Sequence, residues 1–277
     1  MTMPDAALDG DQLDQLLETI YRKYHYDFRS YARASMQRSV TRAESNLGIP
    51  IARLLAGALE EPAVFSKLLP YLTVQVSDLF RDPSYYGVLR RTVVPYLATY
   101  ASPRIWVAGC GTGEEAYSMA IMLHEEGLLE RSLIYATDID AASLEIARAG
   151  VYGVDRVRTF SENYSGAGGR TSLSNYYAAA SSGAAFSRML NRRISFSDHS
   201  LANDAAFAEV HLISCRNVFV YFDQDLQGRS IRLFRESLCP RGFLGLGSTE
   251  TLEFSNHASA FEPFAAGERI YRLRMNQ

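Results

Sequence analysis

Three closely spaced glycines form the part of the sequence best suited to holding a ligand. Gly109, Gly111 and Gly113 follow an apolar run at 105–108, which is a predicted strand, and a helical pattern begins at Glu115. Glycine at such a turn lets a ligand approach the backbone closely, and the first turn of the helix offers unpaired N–H groups. The G-x-G-x-G spacing differs from the G-x-G-x-x-G fingerprint of dinucleotide sites. The sequence therefore predicts a ligand-binding turn of another kind.

An acidic residue directly follows these glycines. Glu114 stands where a dinucleotide would place its pyrophosphate, and two negative charges would repel each other there. A ligand with an ammonium or sulfonium group would instead be attracted. The G-x-G-x-G spacing is also the usual first signature of methyltransferases that use S-adenosylmethionine. We therefore expect this cofactor rather than NAD, with a purely structural glycine turn as the alternative.

A second acidic residue, Asp138, follows the predicted strand at 133–137, about 25 residues beyond Gly113. An acidic side chain at the carboxyl end of this strand in a Rossmann-like unit can accept hydrogen bonds from both ribose hydroxyls. Helix capping is the competing role, but Asp140 is better placed for it. We therefore assign Asp138 to the ribose of the cofactor.

The elements that must position these residues fall into two parts. Between residues 12 and 98, apolar side chains recur three and four positions apart, as in Leu13, Leu16 and Ile20, which predicts an N-terminal helical domain at 1–98. After Pro103, short apolar runs alternate with helical patterns, which predicts an α/β domain with a mostly parallel, Rossmann-like sheet at 99–277.

The α/β part contains one stretch that breaks the alternation. Strands are predicted at 105–108, 133–137, 210–214, 243–247 and 269–273, and helices at 115–125, 141–149 and 226–238. The glycine-rich stretch at about 151–194 fits neither pattern and exceeds any ordinary connection between a strand and a helix. We predict an inserted subdomain there.

The composition excludes several classes of protein. Of the 277 residues, 47% are hydrophobic and 21% are charged, which is typical of a globular protein with a sizeable core, and the net charge of −3 gives no reason to expect a nucleic-acid partner. The three cysteines (Cys110, Cys215, Cys239) lack C-x-x-C spacing and favour a reducing cytoplasm over a metal site or a disulfide framework. We also expect no signal peptide and no membrane insertion.

Five segments occur in the order seen in one known family. They are 76–82 (VSDLFRD), 111–118 (GTGEEAYS), 136–140 (ATDID), 214–223 (SCRNVFVYFD) and 240–248 (PRGFLGLGS). With them the chain resembles the chemotaxis receptor methyltransferases of the CheR type, from about Tyr24 to Leu273. The resemblance implies an S-adenosylmethionine-dependent methyltransferase fold with an N-terminal all-helical domain and a small inserted antiparallel β subdomain.

The resemblance also implies the site residues. Those around the cofactor are Gln75, Ser77, Arg81, Glu114, Asp138, Ser200, Leu201, Arg216 and Asn217, in addition to the three glycines. It further implies that Arg81 and Tyr221 act in methyl transfer. Three positions depart from the family pattern, because Gln75, Ser77 and Ser200 stand where asparagine, threonine and asparagine are usual. These residues keep a polar group but change its reach or its number of donors.

The function that this resemblance implies is methylation of glutamate side chains on chemoreceptors, giving glutamate methyl esters and S-adenosylhomocysteine, in the cytoplasm. The same chemistry on another cytoplasmic signalling protein is one alternative, and a non-catalytic S-adenosylmethionine-binding regulatory module is another. Arg81 and Tyr221 together argue against the non-catalytic module. The glycine spacing and Glu114 argue against an NAD-dependent oxidoreductase.

A basic stretch in the helical domain suggests where an acidic partner would bind. Seven basic residues and two acidic ones lie between residues 22 and 53, a local excess of five positive charges. Such a surface suits a glutamate-rich methylation helix. Arg29 with Arg33 and Arg38 with Arg42 fall on different faces of a helix, so an ordinary solvated helix surface is the alternative.

Overall fold

The computed structural model describes residues 10–73, 77–180, 183–253 and 255–275. Contacts divide the chain into two compact units, one of residues 1–75 with 220–227 and one of residues 76–219 with 228–277. This division falls earlier than the boundary predicted at residue 98. The two helices between residues 76 and 98 belong to the second unit, where the Tyr85 hydroxyl lies 2.9 Å from Ser214 Oγ.

The first unit is helical, as predicted. Its helices are α1 (Gly10–Tyr24), α2 (Arg33–Leu47), α3 (Ile51–Glu60) and α4 (Pro62–Leu72). The apolar residues at helical spacing in α1 form its buried face, with Leu13 and Ile20 fully buried. Gly48 ends α2 with a left-handed φ of 64°, and Pro62 begins α4, where its missing N–H has no cost.

The later segment 220–227 completes the first unit by backbone pairing. The N–H of Ala32 donates to the carbonyl of Tyr221 at 2.8 Å, and the N–H of Asp223 donates to the carbonyl of Ser30 at 3.0 Å. Tyr31 and Phe222 form an isolated antiparallel bridge, with ring centroids 5.0 Å apart. Tyr221 is therefore held within the first unit by its backbone.

The second unit alternates strands and helices. Its helices are α5 (Pro83–Thr92), α6 (Val94–Leu97), α7 (Glu114–Glu125), α8 (Ala141–Ala149), α9 (Val157–Gly166), α10 (Arg188–Asn191) and α11 (Gln224–Ser237), of which α11 begins in the first unit. Its strands are β1 (Arg104–Ala108), β2 (Leu133–Asp138), β3 (Val151–Tyr152), β4 (Tyr177–Ala180), β5 (Gly183–Phe186), β6 (Ile194–Asp198), β7 (Val210–Cys215), β8 (Leu238–Leu246), β9 (Phe261–Ala265) and β10 (Ile270–Leu273).

The large sheet has the order β6-β2-β1-β7-β8-β10-β9. The pairs from β6 to β8 are parallel, and β10 is antiparallel to both of its neighbours. From β1 the chain proceeds outward through β2 to β6 and then returns to β7 on the other side of β1. In open sheets of this kind ligands bind beyond the carboxyl ends of the strands where the order reverses. The topology therefore points to the ends of β1 and β7.

The inserted stretch carries the smaller sheet, of order β3-β5-β4, with both pairs antiparallel. The predicted fold class is thus confirmed, including the mostly parallel sheet and the small antiparallel one. Each of the five predicted strands is present, but β6 and β9 were missed. Exposed polar residues alternate along β6, whose sequence is ISFSD, so it lacks the continuous apolar run that marked the central strands.

Candidate active site

The glycine turn lies at the end of β1 and is hydrogen-bonded to the end of β2. Gly109, Gly111 and Gly113 have φ values of 73°, 51° and 97°, a region that favours glycine. The N–H groups of Gly109 and Cys110 both donate to the carbonyl of Thr137, at 2.8 and 2.9 Å. Gly113 then caps α7 at its N-terminus. The turn therefore places the start of α7 beside the end of β2.

Gly113 also has no room for a side chain, which gives a stability prediction. A Cβ there would lie 2.7 Å from the Cβ of Ala147. We expect Gly113→Ala to lower the free energy of unfolding by about 2–5 kcal/mol, since left-handed strain of about 1–2 kcal/mol adds to overpacking of about 1–3 kcal/mol. Gly127→Ala is the matched control, because Gly127 has a φ of 69° but nothing within 4 Å of a Cβ. Equal losses in urea unfolding would contradict the packing argument.

Asp138 holds this turn from the end of β2. Its Oδ2 accepts a hydrogen bond from the N–H of Gly111 at 2.8 Å, and its Oδ1 accepts one from the N–H of Asp140 at 3.0 Å. Burial raises the pKa of Asp138, although these N–H groups oppose the shift. A carboxylate has about four acceptor positions, so Asp138 retains capacity for hydroxyl donors.

Asp140 takes the capping role, as predicted. Its carboxylate accepts hydrogen bonds from the N–H of Ala142 at 3.1 Å and from the Ser143 hydroxyl at 2.7 Å. Gly150 closes the same helix with a left-handed φ of 60°. Because Asp140 satisfies the start of α8, the side chain of Asp138 is free to face the glycine turn.

Glu114 is a fully buried carboxylate that a guanidinium neutralises. Its Oε1 lies 2.6 Å from Arg156 Nη1, and its Oε2 accepts a hydrogen bond from the Thr112 hydroxyl at 2.7 Å. Arg156 also donates to the carbonyl of Ser77 and pairs with Asp78 at 3.0 Å. Arg156 therefore connects the start of α7 to the segment that carries Ser77 and Arg81.

Arg216, at the end of β7, forms the second charged cluster. Its side chain is 1% exposed, and its Nη2 donates to Asp82 Oδ2 at 2.7 Å and to the carbonyl of Arg81 at 3.1 Å. Its guanidinium lies 4.1 Å from the centre of the Tyr85 ring, and Nη1 lies 3.7 Å from Glu115 Oε2. Burial lowers the pKa of Arg216, but Glu115 and the other groups around it raise it above its ordinary value.

The backbone around Arg81 is held in an unusual conformation. Phe80 and Asp82, on either side of it, have φ values of 51° and 54°, and Asn217 after β7 has a φ of 60°. Non-glycine residues in this region cost free energy and persist only where their surroundings hold them. Arg216 supplies part of that hold through its bonds to Arg81 and Asp82. Because such strained residues cluster at functional sites, the segment is a candidate for a functional role.

The remaining predicted site residues are spread over several elements. Ser200 and Leu201 follow β6, where the N–H of Ser200 donates to Asp204 Oδ2 at 2.7 Å and Leu201 is buried. Gln75 lies outside the described residues. Tyr221 belongs to the first unit, and the other described site residues belong to the second. Within the second unit, hydrogen bonds and ion pairs join Gly111 to Asp138, Glu114 to Ser77 through Arg156, and Arg81 to Arg216.

The charged partners of the predicted site residues were not predicted from the sequence. Arg156 and Asp82 were not singled out, nor was Glu115, which accepts a hydrogen bond from the Ser214 hydroxyl at 2.5 Å. The available signal was weak, since each is a single charged residue next to a recognised segment. No pattern in one sequence connects Arg156 to Glu114, which lies 42 positions away.

Neither a metal-binding cluster nor a membrane-spanning helix is found among the described residues. In that part of the chain, no group of three or more His, Cys, Asp or Glu side chains is arranged to hold a metal ion. The helices described there also include none that is long and apolar enough to span a bilayer.

Comparison with known proteins identifies the family. Residues 75–267 match the family model described as "CheR methyltransferase, SAM binding domain". A Pseudomonas putida protein named "Putative methyltransferase Cher3" is 49% identical over 258 residues, which cover 93% of this chain and 94% of that protein. The Salmonella typhimurium protein named "Chemotaxis protein methyltransferase" is 27% identical over 285 residues, covering 96% of this chain and 91% of that protein. The chain therefore belongs to the CheR methyltransferase family and is, as the sequence predicted, an S-adenosylmethionine-dependent methyltransferase.

Proposed function

We propose that this enzyme methylates glutamate side chains of chemoreceptors in the cytoplasm, for sensory adaptation. The observation that carries the proposal is membership of the CheR family, with relatives named chemotaxis protein methyltransferase. The same chemistry on another cytoplasmic signalling protein is the alternative target. A non-catalytic regulatory module that binds the cofactor is the alternative from a different class.

The residues proposed for the cofactor are those predicted from the sequence. The glycine turn and Asp138 would hold the nucleoside, with the Asp138 carboxylate accepting the ribose hydroxyls. Ser200, Leu201 and Asn217 extend the same end of the sheet. Glu114, which would share its carboxylate between Arg156 and the ligand, and Arg216 would bind the amino-acid part of the cofactor, which carries both an ammonium and a carboxylate. Among the described residues, the Nε and Nη1 atoms of Arg216 have no hydrogen-bond partner, although Nη1 lies 3.7 Å from Glu115 Oε2, and these unused donors support its assignment as a carboxylate ligand.

The proposed reaction needs no general base. A glutamate side chain, with a reference pKa of about 4.3, is already ionised at neutral pH. S-adenosylmethionine, when bound, would supply the methyl group that the carboxylate oxygen accepts, and the electron pair of the broken carbon–sulfur bond would remain on sulfur. The work of the protein is therefore alignment, which can lower a barrier by about 7–11 kcal/mol.

Arg81 and Tyr221 are the residues proposed to act in this step. Arg81 would orient the incoming carboxylate by charge-assisted hydrogen bonds, and Tyr221 would present its ring or hydroxyl to the sulfonium. Too strong a contact between Arg81 and the carboxylate would stabilise the ground state more than the transition state, where that charge is being neutralised. We therefore propose that Arg81 also helps to hold the cofactor.

The decisive experiment is transfer of a radiolabelled methyl group from S-adenosylmethionine to candidate chemoreceptors, followed by treatment with base. We expect labelled methanol to be released, because a glutamate methyl ester hydrolyses in base. Label that stays on the protein would point to another acceptor atom. Cofactor binding without transfer to any tested protein would favour the non-catalytic alternative.

We propose that only part of the basic stretch at 22–53 contacts a receptor. Four of its arginines are engaged in ion pairs within the first unit, each with a nearby carboxylate: Arg22 with Glu18, Arg29 with Asp27, Arg33 with Asp14 and Arg53 with Glu61. Arg38 and Arg42 lie exposed, one turn apart on α2, and have no salt bridge to a described residue. The proposed contact therefore centres on these two side chains.

Reversing both charges tests this surface. We expect Arg38→Glu with Arg42→Glu to lower the rate of receptor methylation about tenfold or more at low salt, because steering by complementary charge is lost. The affinity for S-adenosylmethionine should not change. Arg22→Glu is the control, since Arg22 is equally basic but is paired with Glu18. Equal losses in both variants, measured as initial rates at two salt concentrations, would argue against a specific surface.

A further inference from the structure

A buried carboxylate joins two loops at the edge of the sheet where the cofactor is proposed to bind. Glu250, in the loop that follows β8, is 3% exposed. Its Oε2 accepts hydrogen bonds from the N–H of Gly247 at 2.6 Å and from the N–H of Asn217 at 3.0 Å, and its Oε1 accepts one from the N–H of Phe219 at 2.8 Å. One side chain therefore binds three backbone donors from the loops after β7 and β8.

These loops meet because their strands are neighbours. Cys215 pairs with Leu246 at the ends of β7 and β8, so the segment that begins with Arg216 lies next to the one that begins with Gly247. A Cβ on Gly247 would lie 2.7 Å from Glu250 Oε2 and 2.9 Å from the nitrogen of Asn217. Glycine at this position thus permits the close approach that the three hydrogen bonds require.

The loop that Glu250 binds would not keep its shape unaided. Asn217 has a left-handed φ of 60°, and its N–H and that of Phe219 point to the buried carboxylate. Without that acceptor, two N–H groups would lose their partners in the folded protein, which is costly. The strained conformation persists only where its surroundings enforce it.

We propose that Glu250 is a positioning residue for cofactor binding, which holds the loop of Arg216 and Asn217 in the geometry that binds S-adenosylmethionine. The inference rests on the cofactor roles proposed for those two residues. Both oxygens of Glu250 are occupied by backbone donors, so it acts through the loop and not on the reacting atoms. The carboxylate is required, because a glutamine amide has one acceptor oxygen and would turn a donor toward at least one N–H.

The test compares Glu250→Gln with Glu253→Gln. Glu253 is an exposed glutamate three positions further along the same loop and is the matched control. We expect Glu250→Gln to raise the Kd for S-adenosylhomocysteine, measured by calorimetry on folded protein, by about tenfold or more, equivalent to about 1.4 kcal/mol. The KM for S-adenosylmethionine should rise with little change in kcat. The control should bind normally.

A purely structural role predicts a different result. Glu250→Gln would then lower the melting temperature while the folded protein kept its affinity, and that outcome would overturn the proposal. If Glu250→Gln does not fold, Glu250→Asp decides, because it keeps the charge but shortens the reach by one methylene. Weaker binding by that variant supports the proposal, and unchanged binding contradicts it.

One further variant separates this inference from the site assignment on which it rests. Asn217→Ala tests whether the loop binds cofactor at all. Normal affinity in Asn217→Ala together with weak binding in Glu250→Gln would retain the positioning role and assign the contact to Arg216. Normal affinity in Asn217→Ala, Arg216→Ala and Glu250→Gln would refute both the positioning role of Glu250 and the cofactor contacts of Arg216 and Asn217. It would not contradict the assignment of the protein as a methyltransferase.

Discussion

Replacing Asp138 with asparagine is expected to weaken the binding of S-adenosylmethionine about a hundredfold or more. Two effects combine. Asparagine removes the charge that would accept the ribose hydroxyls, and it offers only one oxygen where Asp138 already serves the N–H groups of Gly111 and Asp140. Hydrogen bonds to a charged group contribute about 1.5–3 kcal/mol each, so losing one or two gives this magnitude. Calorimetric titration with S-adenosylhomocysteine measures it.

Asp198→Asn is the matched control for this variant. Asp198 pairs with Asp138 in the register of β2 and β6, ends its strand at the same edge of the sheet and is exposed. We expect its replacement to change the affinity less than threefold, an effect below about 0.7 kcal/mol. Equal losses in the two variants would show that general negative charge at this edge, rather than the Asp138 carboxylate, determines binding.

Lowering the pH should weaken cofactor binding by the wild-type protein, as the Asp138→Asn substitution does. Burial raises the pKa of Asp138, so this carboxyl takes up its proton at a higher pH than an ordinary aspartate. The ionised form accepts the hydrogen bonds, and affinity should therefore fall as pH decreases through the raised pKa. The Asp138→Asn variant should lose this part of the pH dependence. An identical dependence in both proteins would assign it to another group.

The second large effect is expected for Arg81→Ala, which should lower kcat/KM for receptor methylation about 100- to 1000-fold. Removal of one preorganised donor at a reacting centre commonly costs about 2.7–4 kcal/mol. The backbone of Arg81 is fixed by the bond from Arg216 Nη2 to its carbonyl, so its side chain starts from a defined position. Because Arg81 is also proposed to hold the cofactor, the KM for S-adenosylmethionine should rise as well.

Two further variants sharpen the test of Arg81. Arg81→Lys keeps the charge but loses the planar fork of donors, so we expect an intermediate rate. Arg91→Ala removes an exposed arginine from α5 in the same unit and should leave the rate unchanged. Normal turnover by Arg81→Ala would remove Arg81 from the mechanism, even if the family assignment stands.

The glycine turn, the helix cap and the central strands were predictable, because each depends on residues that are adjacent in the sequence. A glycine turn after a strand and a capping aspartate at Asp140 each depend on a few adjacent residues, and the structure has both of them where the sequence placed them. The same holds for the apolar runs of the central strands. Their burial on both faces requires continuous hydrophobic residues, which are visible in a single sequence.

The boundary between the helical unit and the α/β unit, and the edge strand β6, were less predictable. Helical periodicity placed α5 and α6 with the N-terminal helices, since a periodic pattern does not say which core a helix packs on. Their contacts lie within the second unit, where Tyr85 meets Ser214. In the same way, β6 was missed because its alternating polar residues carry little of the signal that marks a buried strand.

The sequence by itself determined the fold class, the family and the residues of the glycine turn and its acidic neighbours. Only the tertiary structure decided which groups pair with the buried charges. Arg156 pairs with Glu114, Arg216 pairs with Asp82, and Glu250 accepts a hydrogen bond from the N–H of Asn217. The physical reason is that a turn or a cap is fixed by neighbours along the chain. A buried charge, by contrast, needs a partner that folding can bring from any distance, and one sequence carries no mark of which partner it will be.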